Sequence, residues 1–109
     1  MRSNIMSFAK IGMGLVAGLL MAGAANAAGE LDLATKSGCL GCHAVDHKVL
    51  GPSYKDVAAK YKADPGAAKR LYAKVKAGGA GVWGQIPMPP NTQVSDVNIK
   101  TLVDWVLTQ

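Results

Sequence analysis

No acidic residue occurs among residues 1–10, where Arg2 and Lys10 stand, and no apolar run free of glycine reaches the about 20 residues a membrane span needs. The apolar stretch at 11–22 is broken by Gly12, Gly14 and Gly18, and Ala25-Asn26-Ala27 follows it in a small-x-small pattern. A basic start, a short apolar run and small residues in that order mark a secretory signal cut after Ala27, not an uncleaved anchor. No cysteine lies near the cut, so a lipid-modified N-terminus has no acceptor. Strand-like alternation, internal repeats and low-complexity tracts are also missing. Cysteine is scarce, with two in 109 residues.

Residues 1–27 are therefore expected to be a cleaved signal peptide and 28–109 a single domain. Removing 27 of the 109 residues leaves 82, and a chain of that size buries only roughly 60% of its unfolded surface. Such domains usually need a disulfide, a metal or a cofactor besides side-chain burial. The same cut removes Met1, Met6, Met13 and Met21, so Met88 is the one methionine of the mature part.

Four helices are expected. The first covers residues 30 to about 37 and ends at Gly38. The second is capped by Ser53, with Asp56 three residues on in a capping-box arrangement, and runs to about Tyr61. A third takes Asp64 as N-cap and Pro65 as its first residue, and stops at Gly78. Ser95 caps the last, with Val94 placed to staple onto Ile99. Along it Ile99, Leu102, Val103, Val106 and Leu107 form one apolar stripe at helical spacing. Between the last two helices, residues 78–94 form a 17-residue loop, long enough to need a function or a ligand to wrap.

Cys39-Leu40-Gly41-Cys42-His43 is a C-x-x-C-H run, the attachment motif of c-type haem. Two thiols at that spacing can add to the two vinyl groups on one porphyrin edge, and the next histidine can then give an imidazole nitrogen to iron. Three other readings compete. A redox dithiol expects a βαβ context, which is missing. A zinc site could draw on Cys39, Cys42, His43 and His47, but all four come from one short stretch with no second element to close a tetrahedron. A plain disulfide leaves His43 without a role. With haem present, the sixth ligand separates a carrier from an enzyme, because an open iron binds gases or peroxide whereas Met opposite His closes it. His47 lies four residues beyond His43 on the proximal side, and lysines are protonated. Met88, in Pro87-Met88-Pro89-Pro90, stands in a stiff loop that can present a fixed side chain; the competing role of a core gap-filler suits an apolar helix face better.

The mature part resembles the small bacterial class I cytochromes c of the c-551 and c-552 type. The marks are Gly-Cys-Leu-Gly-Cys-His at 38–43, Gly-Pro-Ser-Tyr-Lys-Asp-Val-Ala at 51–58, Gly-Val-Trp-Gly-Gln-Ile-Pro-Met-Pro-Pro-Asn at 81–91 and Asp-Trp-Val-Leu at 104–107. The resemblance implies an all-α class I cytochrome c fold, about four to five short helices around one haem c bound covalently through Cys39 and Cys42. It implies His43 and Met88 as axial ligands and Pro52 as acceptor of the histidine ring N–H. It further implies Trp83 and Lys74 near a haem propionate, and Asn91 as hydrogen-bond donor to the ligating sulfur. Ala34 stands where several members carry an aromatic against the last helix, so an under-filled contact is expected, and with it stabilisation by Ala34→Phe. His47 is expected to be a solvated loop residue.

Whole-chain net charge is +5, and the expected mature part keeps ten basic and seven acidic residues. Nine basic and three acidic residues fall between positions 36 and 76, whereas Glu30, Asp32, Asp96 and Asp104 face only Lys100 at the ends. A basic face of this kind steers docking on acidic partners. The expected partners are redox proteins, such as a cytochrome-reducing complex and a terminal reductase or oxidase. Nucleic acid is not expected, since neither a basic helix nor an aromatic platform accompanies the charge. The expectation is thus a monomeric periplasmic single-electron carrier that catalyses no bond chemistry.

Overall fold

The computed structural model describes residues 21–109, so residues 1–20 of the expected signal peptide lie outside the described residues. Four helices, α1 (Met21–Lys36), α2 (Tyr54–Tyr61), α3 (Ala67–Ala77) and α4 (Asp96–Val106), and a 3₁₀ turn at Cys39–Gly41 make up its regular structure. The described residues contain no strand; two isolated bridges, His43 with Lys48 and Gly79 with Met88, are the only β pairing. None of these helices is long and apolar enough to cross a membrane.

The helix α1 starts earlier than expected and runs unbroken through the junction of residues 27 and 28. The segment Met-Ala-Gly-Ala-Ala-Asn-Ala-Ala that opens it is rich in the best helix former, so the backbone continues upstream of Glu30. It stops as expected, with the Ser37 amide on Leu33 O at 2.9 Å and Gly38 at φ +81°, a conformation glycine adopts without a Cβ penalty.

Ser53 and Ser95 cap α2 and α4 as their sequences suggest. Each sits in extended backbone and its hydroxyl accepts an amide three residues on, from Asp56 at 3.1 Å and Asn98 at 3.2 Å. The start of α3 differs from expectation. Gly66, not Asp64, is its N-cap; the Asp64 carboxylate accepts the Gly66 amide at 3.0 Å through one oxygen and pairs with the Arg70 guanidinium through the other. That pairing holds the Asp64 carboxyl below the usual carboxylate range. Helix geometry then begins at Ala67, after Gly66.

Packing centres on α4, which touches α1, α2 and α3. Ile99, Leu102 and Val103 of the expected stripe are buried, while Val106 and Leu107 are only half-buried. Trp105, off the stripe, is buried as well; it forms a cluster with Leu102, Ala34 of α1 and Tyr54 of α2. So α4 buries two faces, one toward α3 and one toward α1 and α2.

Ala34 itself is 0% exposed within that cluster, and it does not line the large cavity described below. The expected under-filled contact is therefore corrected: the indole of Trp105 and the ring of Tyr54 already occupy the space beside Ala34. A phenylalanine there must displace them, and overpacking costs about 1–3 kcal/mol. Ala34→Phe is expected to lower the melting temperature of the haem-loaded protein; a rise would restore the under-filled reading.

Candidate functional site

The left-handed Gly38 turns the chain from α1 into the 3₁₀ turn, where the Cys42 and His43 amides both reach Cys39 O, at 3.2 and 3.0 Å. Residues three apart eclipse in a 3₁₀ turn, so Cys39 and Cys42 present their thiols on one side. The two thiols are not joined to each other, both are half-buried, and both line the same cavity. Burial pushes the Cys39 thiol above its ordinary value. The attacking thiol of a redox dithiol needs the opposite shift. A zinc site fares no better, since no group of three or more His, Cys, Asp or Glu among the described residues is arranged to hold a metal ion. His47 turns to the exposed Asp46 carboxylate at 2.9 Å, as befits a solvated loop residue.

His43 is fixed on three sides. Its Nδ1 lies 2.8 Å from Pro52 O, and because a carbonyl can only accept, Nδ1 donates and Nε2 is the nitrogen left available as a ligand. The Tyr54 ring stacks on the imidazole at 5.4 Å and 27°, and Trp105 meets Tyr54 edge-on at 5.5 Å. Burial, and then the neighbouring Cys39, pushes the Tyr54 hydroxyl upward, so it stays protonated. Gly51 closes the third side: a Cβ there would lie 2.5 Å from His43 Cε1 and 2.8 Å from Nδ1. Only a residue without a side chain lets the 43–51 loop turn back this closely, drawn in by the Gly51 amide on Cys42 O at 2.7 Å.

Met88 lines the same cavity. Its amide and carbonyl pair with those of Gly79 at 2.8 and 3.0 Å, which fixes the backbone on either side of the thioether. Gly78, at φ +75° and ψ −179°, makes this possible. Asn91 anchors the far end of the loop: its backbone amide and side-chain Nδ2 both reach Val75 O, at 3.2 and 3.1 Å, and Nδ2 also reaches Pro89 O at 3.3 Å.

These elements enclose a cavity of about 240 Å³, open to solvent on one side. Of the expected site residues, Cys39, Cys42, His43, Pro52, Lys74, Trp83 and Met88 line it, and Asn91 does not. The Asn91 amide is directed to backbone carbonyls, and no hydrogen bond joins it to Met88 sulfur among the described residues. Lys74 lies over Gly79, where a Cβ would come within 2.9 Å of its Cε. The remaining walls are mostly apolar and include residues the sequence did not single out for the site, among them Tyr54, Val57, Leu71 and Val75. Their helical positions mark them as core, and nothing local distinguishes a core that faces a side chain from one that faces a ligand. Two thiols, an imidazole, a thioether and apolar walls around one cavity are a donor set suited to an iron porphyrin.

The cytochrome c family model matches residues 31–109. A cytochrome c-552 of Nitrosomonas europaea is 52% identical over 103 residues, covering 94% of this chain and 98% of that protein. A cytochrome c-551 of Allochromatium vinosum is 57% identical over 84 residues, covering 77% and 89% respectively. The crystal structure of the wild-type Nitrosomonas europaea cytochrome c552 is similar with a TM-score of 0.70 at 56% identity, over 72% of this chain and 96% of that one.

Proposed function

This chain belongs to the cytochrome c family, small c-type haem electron carriers, and on that premise we propose that it works in the periplasm with His43 and Met88 as axial ligands. Its cofactor is haem c with iron, bound covalently through Cys39 and Cys42. When bound, the haem supplies a one-electron ferric–ferrous couple. The observation that supports the ligand assignment is the Pro52 hydrogen bond, which leaves Nε2 of His43 as the available donor atom, together with Met88 in the lining of the same cavity.

The chain's own residues hold that couple in place. Donation from His43 Nδ1–H to Pro52 O fixes the ring orientation and raises the basicity of Nε2. The Tyr54 stack and the bare Cα of Gly51 leave the imidazole little room to rotate. The Gly79–Met88 bridge limits movement of the thioether. Apolar walls exclude water and lower the local dielectric, which tunes the potential. Trp83 and Lys74, both at the cavity, are proposed to hold a propionate. Asn91 keeps a part in the site through the loop, as the anchor of its C-terminal end to Val75.

Electrons pass where the cavity opens. Leu50, Val82, Trp83 and Ile86 are exposed there, Ile86 at 63%. The proposed docking face is this apolar rim, in a chain whose basic residues concentrate between positions 36 and 76, meeting an acidic redox partner by a steered, transient encounter. No bond chemistry is proposed for the protein, because His43 and Met88 would together hold the iron and leave it no open position.

A visible spectrum tests this reading. The purified protein is expected to show c-type Soret and alpha bands when reduced and a weak red Met–iron band when oxidised. A colourless protein would contradict haem binding, and a coloured one without the red band would contradict Met88.

A further inference from the structure

The loop that carries Met88 is tied down at its two ends but sparsely at its tip. Gly79 pairs with Met88, and Asn91 with Val75. Between them, the hydrogen bond from the Gly81 amide to Gly84 O at 2.8 Å is internal to the tip. Among the described residues, no hydrogen bond or ion pair joins residues 80–87 to a helix. One polar contact does reach across. The Lys60 ammonium, in the last turn of α2, lies 5.6 Å from the centre of the Trp83 ring and 5.8 Å from that of Tyr61. Both rings line the cavity, and Trp83 is 41% exposed. Lys60 takes no part in a salt bridge among the described residues, so these two ring faces are what it has been placed against.

A cation within about 6 Å of an aromatic face is attracted by the ring quadrupole, most strongly for tryptophan. Here the attraction links two residues 23 positions apart in sequence, and it acts near the middle of the 80–87 tip, away from the loop's fixed ends. We propose that Lys60 is a positioning residue: its ammonium, held between Tyr61 and Trp83, fastens the tip of the 78–94 loop to α2 and so restrains release of Met88. This rests on the ligand assignment proposed for Met88. Lys60 lies outside the cavity lining, so it acts through Trp83 and not by contact with the cofactor.

The test compares the haem-loaded native protein with Lys60→Gln, Lys60→Arg and Lys62→Gln. Lys62 follows α2 directly and carries the same charge, but makes no ring contact among the described residues. The first readout is hydrogen exchange at the hydrogen-bonded amides of Gly79, Gly81 and Met88. The second is the rate at which imidazole, a neutral ligand, bleaches the red band of the oxidised protein. At exposed sites the contact is worth enough to change an opening equilibrium about two- to fivefold. Both rates are expected to rise by that factor in Lys60→Gln and to stay at the native value in Lys60→Arg and Lys62→Gln. Equal rates in Lys60→Gln and native protein, or the same acceleration in Lys62→Gln, would overturn the proposal. If the native protein has no red band, the ligand assignment falls, and the exchange rates alone still decide whether Lys60 fastens the tip.

Discussion

Replacing Met88 by alanine is expected to abolish the weak red band and to lower the reduction potential by on the order of 0.1–0.3 V, part of the roughly 0.8 V range that axial ligands command. The direction follows from the donor: a thioether opposite imidazole raises the potential, and its loss leaves water or nothing. The effect should be confined to the site. The bonds that shape the loop around position 88 are backbone bonds to Gly79, and alanine keeps both. No second methionine exists in residues 28–109 to take over. The reduced variant should therefore bind carbon monoxide rapidly while its alpha band keeps its c-type form. Persistence of the red band in Met88→Ala would show that another group ligates the iron.

The second large effect is expected at Gly78. Its φ of +75° with ψ near 180° is a conformation essentially confined to glycine, and a side chain there costs about 1–3 kcal/mol in backbone strain alone. Space is lacking too. A Cβ would lie 2.5 Å from Met88 O, 2.9 Å from Pro90 N and 3.0 Å from Pro89 C, all backbone atoms that cannot swing aside. Overpacking adds about 1–3 kcal/mol. Gly78→Ala should then destabilise the holoprotein by about 3 kcal/mol or more, a fall in melting temperature of ~12 °C or more for a domain this small. Gly41→Ala is the control, since its Cβ would meet nothing within 4 Å and its φ is not positive. A melting temperature for Gly78→Ala equal to that of the control would mean that the loop relocates freely, contrary to its proposed role in holding Met88.

Much of this was legible in the chain itself, for identifiable reasons. Ser53, Ser95 and Gly78 act through local chemistry, a hydroxyl three residues from an amide or a missing Cβ, and each does what its type suggests. Cys39, Cys42 and His43 form one contiguous motif, and one turn of 3₁₀ helix places them. Where the expectation failed, a non-local partner had intervened. Ala34 is fully enclosed because Tyr54 and Trp105, from two other helices, converge on it. Asn91 turns its amide to Val75, sixteen residues upstream. The Lys60–Trp83 contact depends on how the loop returns over α2, which no spacing rule reports.

Exposure of the reduced, native holoprotein to carbon monoxide most directly tests the claim that the iron is closed by His43 and Met88 and serves only to carry electrons. The visible spectrum is expected to stay unchanged under native conditions, with a rapid shift only in Met88→Ala. A rapid shift in the native protein would contradict it, because it would reveal an open position on the iron.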